Sequence, residues 1–148
     1  MDGTGERRKG VLTAHDLATW RAHWEEPLTL DYGDWTLCKT GPWSQGLMML
    51  QSLQLLKHAG IADMQAGGVD FVHTVIEAMK LAMPTMRPIA TIDFFDIPMA
   101  QPLSDDYAAQ RSALITDAAS LHDQRPGVIA GLDHLARPPS TAPGATAT

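Results

Sequence analysis

The stretch Leu47–His58, LMMLQSLQLLKH, is apolar nearly all the way round a helix, with Gln51, Gln54 and His58 forming a narrow polar strip at i, i+3 and i+7. A helix of that kind cannot lie on a surface; it has to be enclosed on most sides, and the rest of the chain must supply the cover. Lys57 and His58 sit where the negative end of the helix dipole favours cations, and Gly60 offers a left-handed terminator. With 148 residues, 45% of them hydrophobic, the chain is domain-sized and can fill a modest core around such a helix.

The flanking segments divide at clear signals. Residues 1–10 read as a polar arm. Thr13 caps a short helix with Asp16 reaching back to it, Leu12 and Leu17 fit a hydrophobic staple, and Leu17, Trp20 and Trp24 form a stripe that ends before Pro27. LTLDYGDWTLCKTG alternates loosely around a Gly33-Asp34 turn and reads as a two-stranded pair. After a Gly-rich connector at Gln65–Gly68, a second amphipathic helix runs from about Val69 to Met83. Its expected apolar face is Val72, Val75, Ile76, Met79 and Met83; His73, Glu77 and Lys80 mark the wet face, and Pro84 ends it. Ser104 caps a further helix whose first turn holds Asp105 and Asp106, with Tyr107, Leu114 and Ile115 as its apolar contacts. Residues 129–148 are small, Pro-rich and linker-like, a composition that stays disordered.

Composition excludes several functions. Eleven basic against 17 acidic residues leave no basic stripe for phosphates, so nucleic acid is not an expected partner. No apolar run reaches the roughly 18 residues of a membrane span, and MDGTGERRKG lacks the apolar core of a signal peptide, so neither membrane nor compartment is indicated. The single cysteine, Cys38, rules out an internal disulfide; inside a strand it reads as a small buried hydrophobe. His15, His23, His58, His73, His122 and His134 have no metal-ligand spacing, so neither a metal nor a cofactor is expected. Gly41–Gly46 lacks the Gly-Lys-Ser/Thr ending of a P-loop and reads as a tight strand-to-helix turn with Ser44 as a cap; nor does Ser44 sit in a Gly-x-Ser-x-Gly elbow. Met48, Met49, Met64, Met79, Met83, Met86 and Met99 read as core filling, and Trp20, Trp24, Trp35 and Trp43 as core anchors. No catalytic residue can be assembled from spacing alone.

Taken in order, however, the motifs resemble one family. A capped helix with Asp-Leu and an aromatic, then Glu-Pro, Tyr-Gly, a Gly-Pro-x-Ser-x-Gly turn and a Leu-Gln-Leu-Leu helix look like part of the large subunit of a γ-glutamyltransferase. DFVHTVIEAMKLA is similar to the family's His-x-x-x-Glu-Ala-x-Lys-x-Ala helix, and PLSDDYAAQRSALI and ASLHDQRPG come after it in the family's order, so the likeness spans residues 11–128. The Trp-Ser form of the turn points to the acylase and amidohydrolase branch. The resemblance implies an α+β, mainly helical piece of an N-terminal-nucleophile hydrolase (αββα) fold, with three or four helices and a short extended pair.

It also implies an enzyme cut from a precursor, in which a new N-terminal threonine uses its own α-amine to activate its hydroxyl against γ-glutamyl or related amides. The family's nucleophile lies in a Thr-x-His segment. Here that spacing occurs only at Thr13-Ala14-His15, in a helix-cap context, so Thr13 is rejected as the nucleophile. The expectation is a truncated segment, inactive alone, whose partners are the rest of the large subunit and the small subunit, and which self-associates when isolated. The alternative is a non-catalytic helical scaffold derived from the family. Residues 84–92 depart from the family's Ala-Asp-Arg-Glu-aromatic run. Shifted by one base, the codons from Met83-Pro84 onward can encode Ala-Asp-His-Glu-Ala-Tyr, which implies a short frameshifted patch.

Overall fold

The structure, a computed structural model, describes residues 10–86, 98–121 and 125–132. The described residues form four helices and one hairpin, and α3, α4 and the hairpin pack around α2, Gly46–His58. The others are α1 (Ala14–Thr19), β1 (Leu28–Tyr32), β2 (Trp35–Lys39), α3 (Val69–Met86) and α4 (Asp105–Ser112), with a 3₁₀ turn at Ile61–Asp63.

α2 is enclosed, as its composition demands. Leu47, Leu50, Leu55 and Leu56 are buried, and so are Gln51 and Gln54 of the polar strip. One side of α2 meets Ala78, Leu81 and Ala82 of α3 and Ala108 of α4; Leu47, at its start, packs with Ile129. Met48 lies against both clusters. The alanines at 78, 82 and 108 let three helices approach closely, since each leaves room for a neighbour's Leu. Gly60 adopts the left-handed conformation after α2.

The hairpin is antiparallel, with Tyr32 opposite Trp35 and Gly33-Asp34 as its two-residue turn. Gly33 has φ +59, which suits a hairpin turn and favours glycine. The strand-to-helix turn closes on Ser44, whose Oγ accepts the Gly46 N–H at 3.1 Å while Ser44 N–H donates to the Gly41 carbonyl. A Cβ on Gly46 would lie 2.8 Å from Lys39 Cβ, so only glycine lets the hairpin turn straight into α2.

Several expectations are corrected. α3 does not end at Pro84 but continues to Met86. A proline in the last turn removes only one ladder bond, and the Thr85 hydroxyl donates to the Leu81 carbonyl at 2.9 Å one step further on. The faces of α3 also depart from expectation: Glu77 is buried, while Val72, Ile76, Met79 and Met83 are exposed and, of the expected apolar face, Val75 packs against the core. Trp20, Trp24, Trp35 and Trp43 anchor no core, since all four are exposed, and α1 buries no residue at all. Cys38 is exposed rather than buried. Leu114 is exposed and lies past the end of α4, whereas Tyr107 is buried and Ile115 packs against the core as expected, joined by Ala108. Of the stretch read as a linker, Ile129 is buried and the Ala130 N–H donates to Gln101 Oε1; residues 133–148 lie outside the described residues, as do residues 87–92 of the atypical patch.

Candidate functional site

Two carboxylates among the described residues each gather three donors, and the buried one is Glu77, on the inward side of α3 with Ala78 and Leu81. Its side chain is only 2% exposed. Oε1 accepts from Lys80 Nζ at 2.7 Å and from the Ser120 backbone N–H at 3.1 Å; Oε2 accepts from Arg125 Nη2 at 3.0 Å. Burial pushes this carboxyl up, but the bonds from Lys80 and Ser120, together with the charges of Lys80 and Arg125, outweigh it and hold Glu77 below the usual carboxylate range. Lys80 also donates to the Ser120 carbonyl, and Arg125 Nη1 donates to the Leu114 carbonyl.

Further bonds sew the same segment to α3 and α4. His73 Nε2 donates to the Thr116 carbonyl at 2.7 Å. Arg111 donates to the carbonyls of Leu81 and Arg125, and burial pulls its guanidinium down from its ordinary value. The Gly127 N–H donates to Thr85 Oγ1 at 2.7 Å. A Cβ at Gly127 would fall 1.7 Å from the Tyr107 hydroxyl oxygen, so the backbone here touches the phenol directly. Burial raises the Tyr107 phenol above its ordinary value.

A second junction joins α2 to the start of α4. Asp105 Oδ1 accepts from Gln54 Nε2 at 2.9 Å, His58 Nε2 at 3.0 Å and Lys57 Nζ at 3.3 Å. The hydrogen bonds from His58 and Lys57 hold Asp105 below its ordinary value. Gln51 and Gln54 also donate to the carbonyls of Pro102 and Leu103, which satisfies the amide donors of this buried strip, while the Oε1 atoms of both have no partner among the described residues.

Both junctions fasten rather than react. Both carboxylates are held below their ordinary range; Glu77 is buried and accepts through both oxygens, whereas Asp105 is largely exposed and accepts through Oδ1, and among the described residues neither is bonded to a hydroxyl or thiol that it could activate. Thr13, rejected as a nucleophile on sequence grounds, has its Oγ1 donating to Asp16 at 2.7 Å and accepting the Asp16 N–H, a complete capping box. Ser44 Oγ is engaged with Thr40 Oγ1 and the turn. Trp43 Nε1 donates to Glu25. Met48 and Met99 pack against the clusters, whereas Met49, Met79 and Met83 are exposed and so do not fill the core. His15 and His23 are exposed, and His122 and His134 lie outside the described residues. Among the described residues no three His, Cys, Asp or Glu side chains gather where a metal ion could sit. No helix among them is long and apolar enough to cross a membrane.

Sequence reading missed the Glu77 cluster by assigning Glu77 and Lys80 to solvent. The available signal was small-residue spacing: Glu77 shares a helix side with Ala78, Leu81 and Ala82, the side on which backbones can approach.

The residues that meet in this cluster come from the segments that carry the family likeness, and the comparisons agree. The chain matches the family model described as gamma-glutamyltranspeptidase over residues 1–146, and it belongs to that family. It is 33% identical over 109 residues to the acylase ACY 1 proenzyme of Pseudomonas sp. (strain SE83), covering 72% of this chain and 19% of that one. The glutathione hydrolase-like YwrD proenzyme of Bacillus subtilis (strain 168) is 28% identical over 116 residues, covering 78% and 22%. A solved structure described as LmbA2991HD superposes with a TM-score of 0.74 at 44% identity, over 86% of this chain and 21% of that one. The chain thus spans about a fifth of the length of the curated relatives it matches.

Proposed function

We propose that this chain is a large-subunit segment of an autoprocessing γ-glutamyltransferase-like enzyme, one that transfers or hydrolyses γ-glutamyl or related amides through an N-terminal threonine acyl-enzyme. The observation that carries this reading is the family match over residues 1–146, together with relatives whose names mark them as proenzymes. In this role the chain is a framework within an αββα N-terminal-nucleophile fold. α2 is the buried axis, and the Glu77 and Asp105 junctions join α3 and α4 to it and to residues 114–121 and 125–127. The remaining large subunit and the small subunit are its partners, and the threonine comes from that partner polypeptide. The hydroxyl of Thr13 is committed to its cap and supports this assignment. The isolated chain is therefore inactive.

Two measurements test this. The purified chain is incubated with a chromogenic γ-glutamyl anilide and its intact mass is followed over a day. Neither anilide release nor a cut beside a threonine is expected, and either one overturns the assignment of the nucleophile. The encoding DNA is then read on both sides and in the alternative frame across residues 84–92. In-frame coding for a Thr-x-His segment supports the enzymatic reading, while a stop with its own regulatory context favours a stand-alone scaffold.

A further inference from the structure

Thr85, in the last turn of α3, is buried among donors. Its Oγ1 accepts the Gly127 N–H at 2.7 Å and donates to the Leu81 carbonyl at 2.9 Å. Arg111 Nη2 reaches the same carbonyl at 3.4 Å, so the guanidinium and the Thr85 hydroxyl meet at one acceptor. The other partner of Arg111 is the Arg125 carbonyl. No carboxylate among the described residues pairs with this cation, although burial disfavours its charge. The Tyr107 hydroxyl is buried and has no hydrogen-bond partner among the described residues. A Cβ on Gly127 would lie 1.7 Å from that hydroxyl and 3.2 Å from Thr85 Oγ1, so both hydroxyls face the same side of Gly127. A backbone N–H, a phenol and a guanidinium therefore converge on a position whose own side chain offers one neutral oxygen.

We propose that the end of α3 is an internal carboxylate site, and that the residue which completes it is an aspartate at position 85. One carboxylate oxygen takes the Gly127 N–H, as the threonine does, and the other takes Arg111 and the Tyr107 hydroxyl. A second, independent observation points to the same group. The shifted-frame reading of residues 84–92 begins Ala-Asp, and its Asp codon draws two of its three bases from codon 85, which sets the carboxylate here. The negative end of the α3 dipole disfavours an anion at this place, so the stabilisation comes from the Arg111 charge and from charge-assisted bonds. With threonine in the site, the Arg111 cation stays uncompensated and Gly127 is fastened to α3 by a neutral bond. This inference does not depend on the enzymatic reading.

Amide exchange at Gly127 in the full chain tests it. Thr85→Asp is compared with Thr85→Asn, which has the same shape without the charge, each with and without Arg111→Gln. At neutral pH the Gly127 N–H is expected to exchange about tenfold more slowly in Thr85→Asp than in Thr85→Asn, and Arg111→Gln should remove most of that difference. Equal exchange in the two variants overturns the site, as does a difference that survives Arg111→Gln. So does a Thr85→Asp chain that no longer folds while Thr85→Asn does. If neither variant folds, Arg111→Gln in the native chain decides, because it removes the charge and keeps one donor for the carbonyls. Its urea midpoint should hold or rise if the cation lacks a counter-ion, and a fall refutes the proposal.

Discussion

Glu77→Gln keeps the shape of the side chain but removes the charge at the centre of the α3 junction. Taking one partner from a buried ion pair costs about 3–5 kcal/mol where the stranded charge has no route to water. Here the side chains of Lys80 and Arg125 keep 37% and 27% of their exposure, so both cations are partly rehydrated and about 2 kcal/mol is expected. The loss should fall around Ser120 and Arg125, because both are bonded through this carboxylate. Amide exchange reads it locally: the Ser120 N–H should exchange roughly 30-fold faster in the variant. The pH dependence comes from the sign of the shift. Because the folded carboxyl titrates below its ordinary value of 4.5, its contribution is full above that pH and disappears as pH falls through the lowered folded value. Wild type should lose Ser120 protection along that acid limb, and Glu77→Gln should lack that component. Exchange within twofold of wild type at neutral pH, or parallel acid limbs in the two proteins, would refute the reasoning.

Gly127→Ala should destabilise by about 2–3 kcal/mol, since its methyl would have to displace the Tyr107 phenol, and adding Tyr107→Phe should recover part of the loss; urea midpoints of the two single variants and the double variant give the coupling. Ser104→Ala, which removes the cap bonded to the Tyr107 N–H, should cost about 1 kcal/mol in the same titration. Thr13→Ala, which breaks an equally complete cap, should leave the midpoint unchanged because α1 buries nothing.

What the sequence disclosed depended on whether a residue's partners lay nearby. The buried axis was visible in Leu47–His58 because a helix apolar on nearly all sides has one solution. The Thr13 and Ser104 caps, the Gly33-Asp34 turn and the Gly60 terminator are local chemistry, and each was legible within four residues. The faces of α3 were not. Period 3.6 finds an apolar stripe, but it does not say which polypeptide covers it, and here Val72, Ile76, Met79 and Met83 find no cover among the described residues. Glu77 was misread for the complementary reason. Its partner Arg125 is 48 residues away, and no local rule tells a solvated glutamate from one awaiting a distant arginine. The tryptophans obey the same logic: size and hydropathy predict burial only where the chain itself supplies the other half of the pocket.

The exposure of Trp20, Trp24, Trp35 and Trp43 bears on how this chain can be observed at all. Indole emission shifts to the blue when a ring leaves water, and in this chain folding moves no described indole from water into a core. Intrinsic tryptophan fluorescence will therefore stay red-shifted and nearly silent while α2, α3 and α4 assemble or come apart. Any blue shift that does develop reports the arrival of a partner on the α1 and hairpin surface, which makes the four indoles an unlabelled sensor of docking rather than of folding.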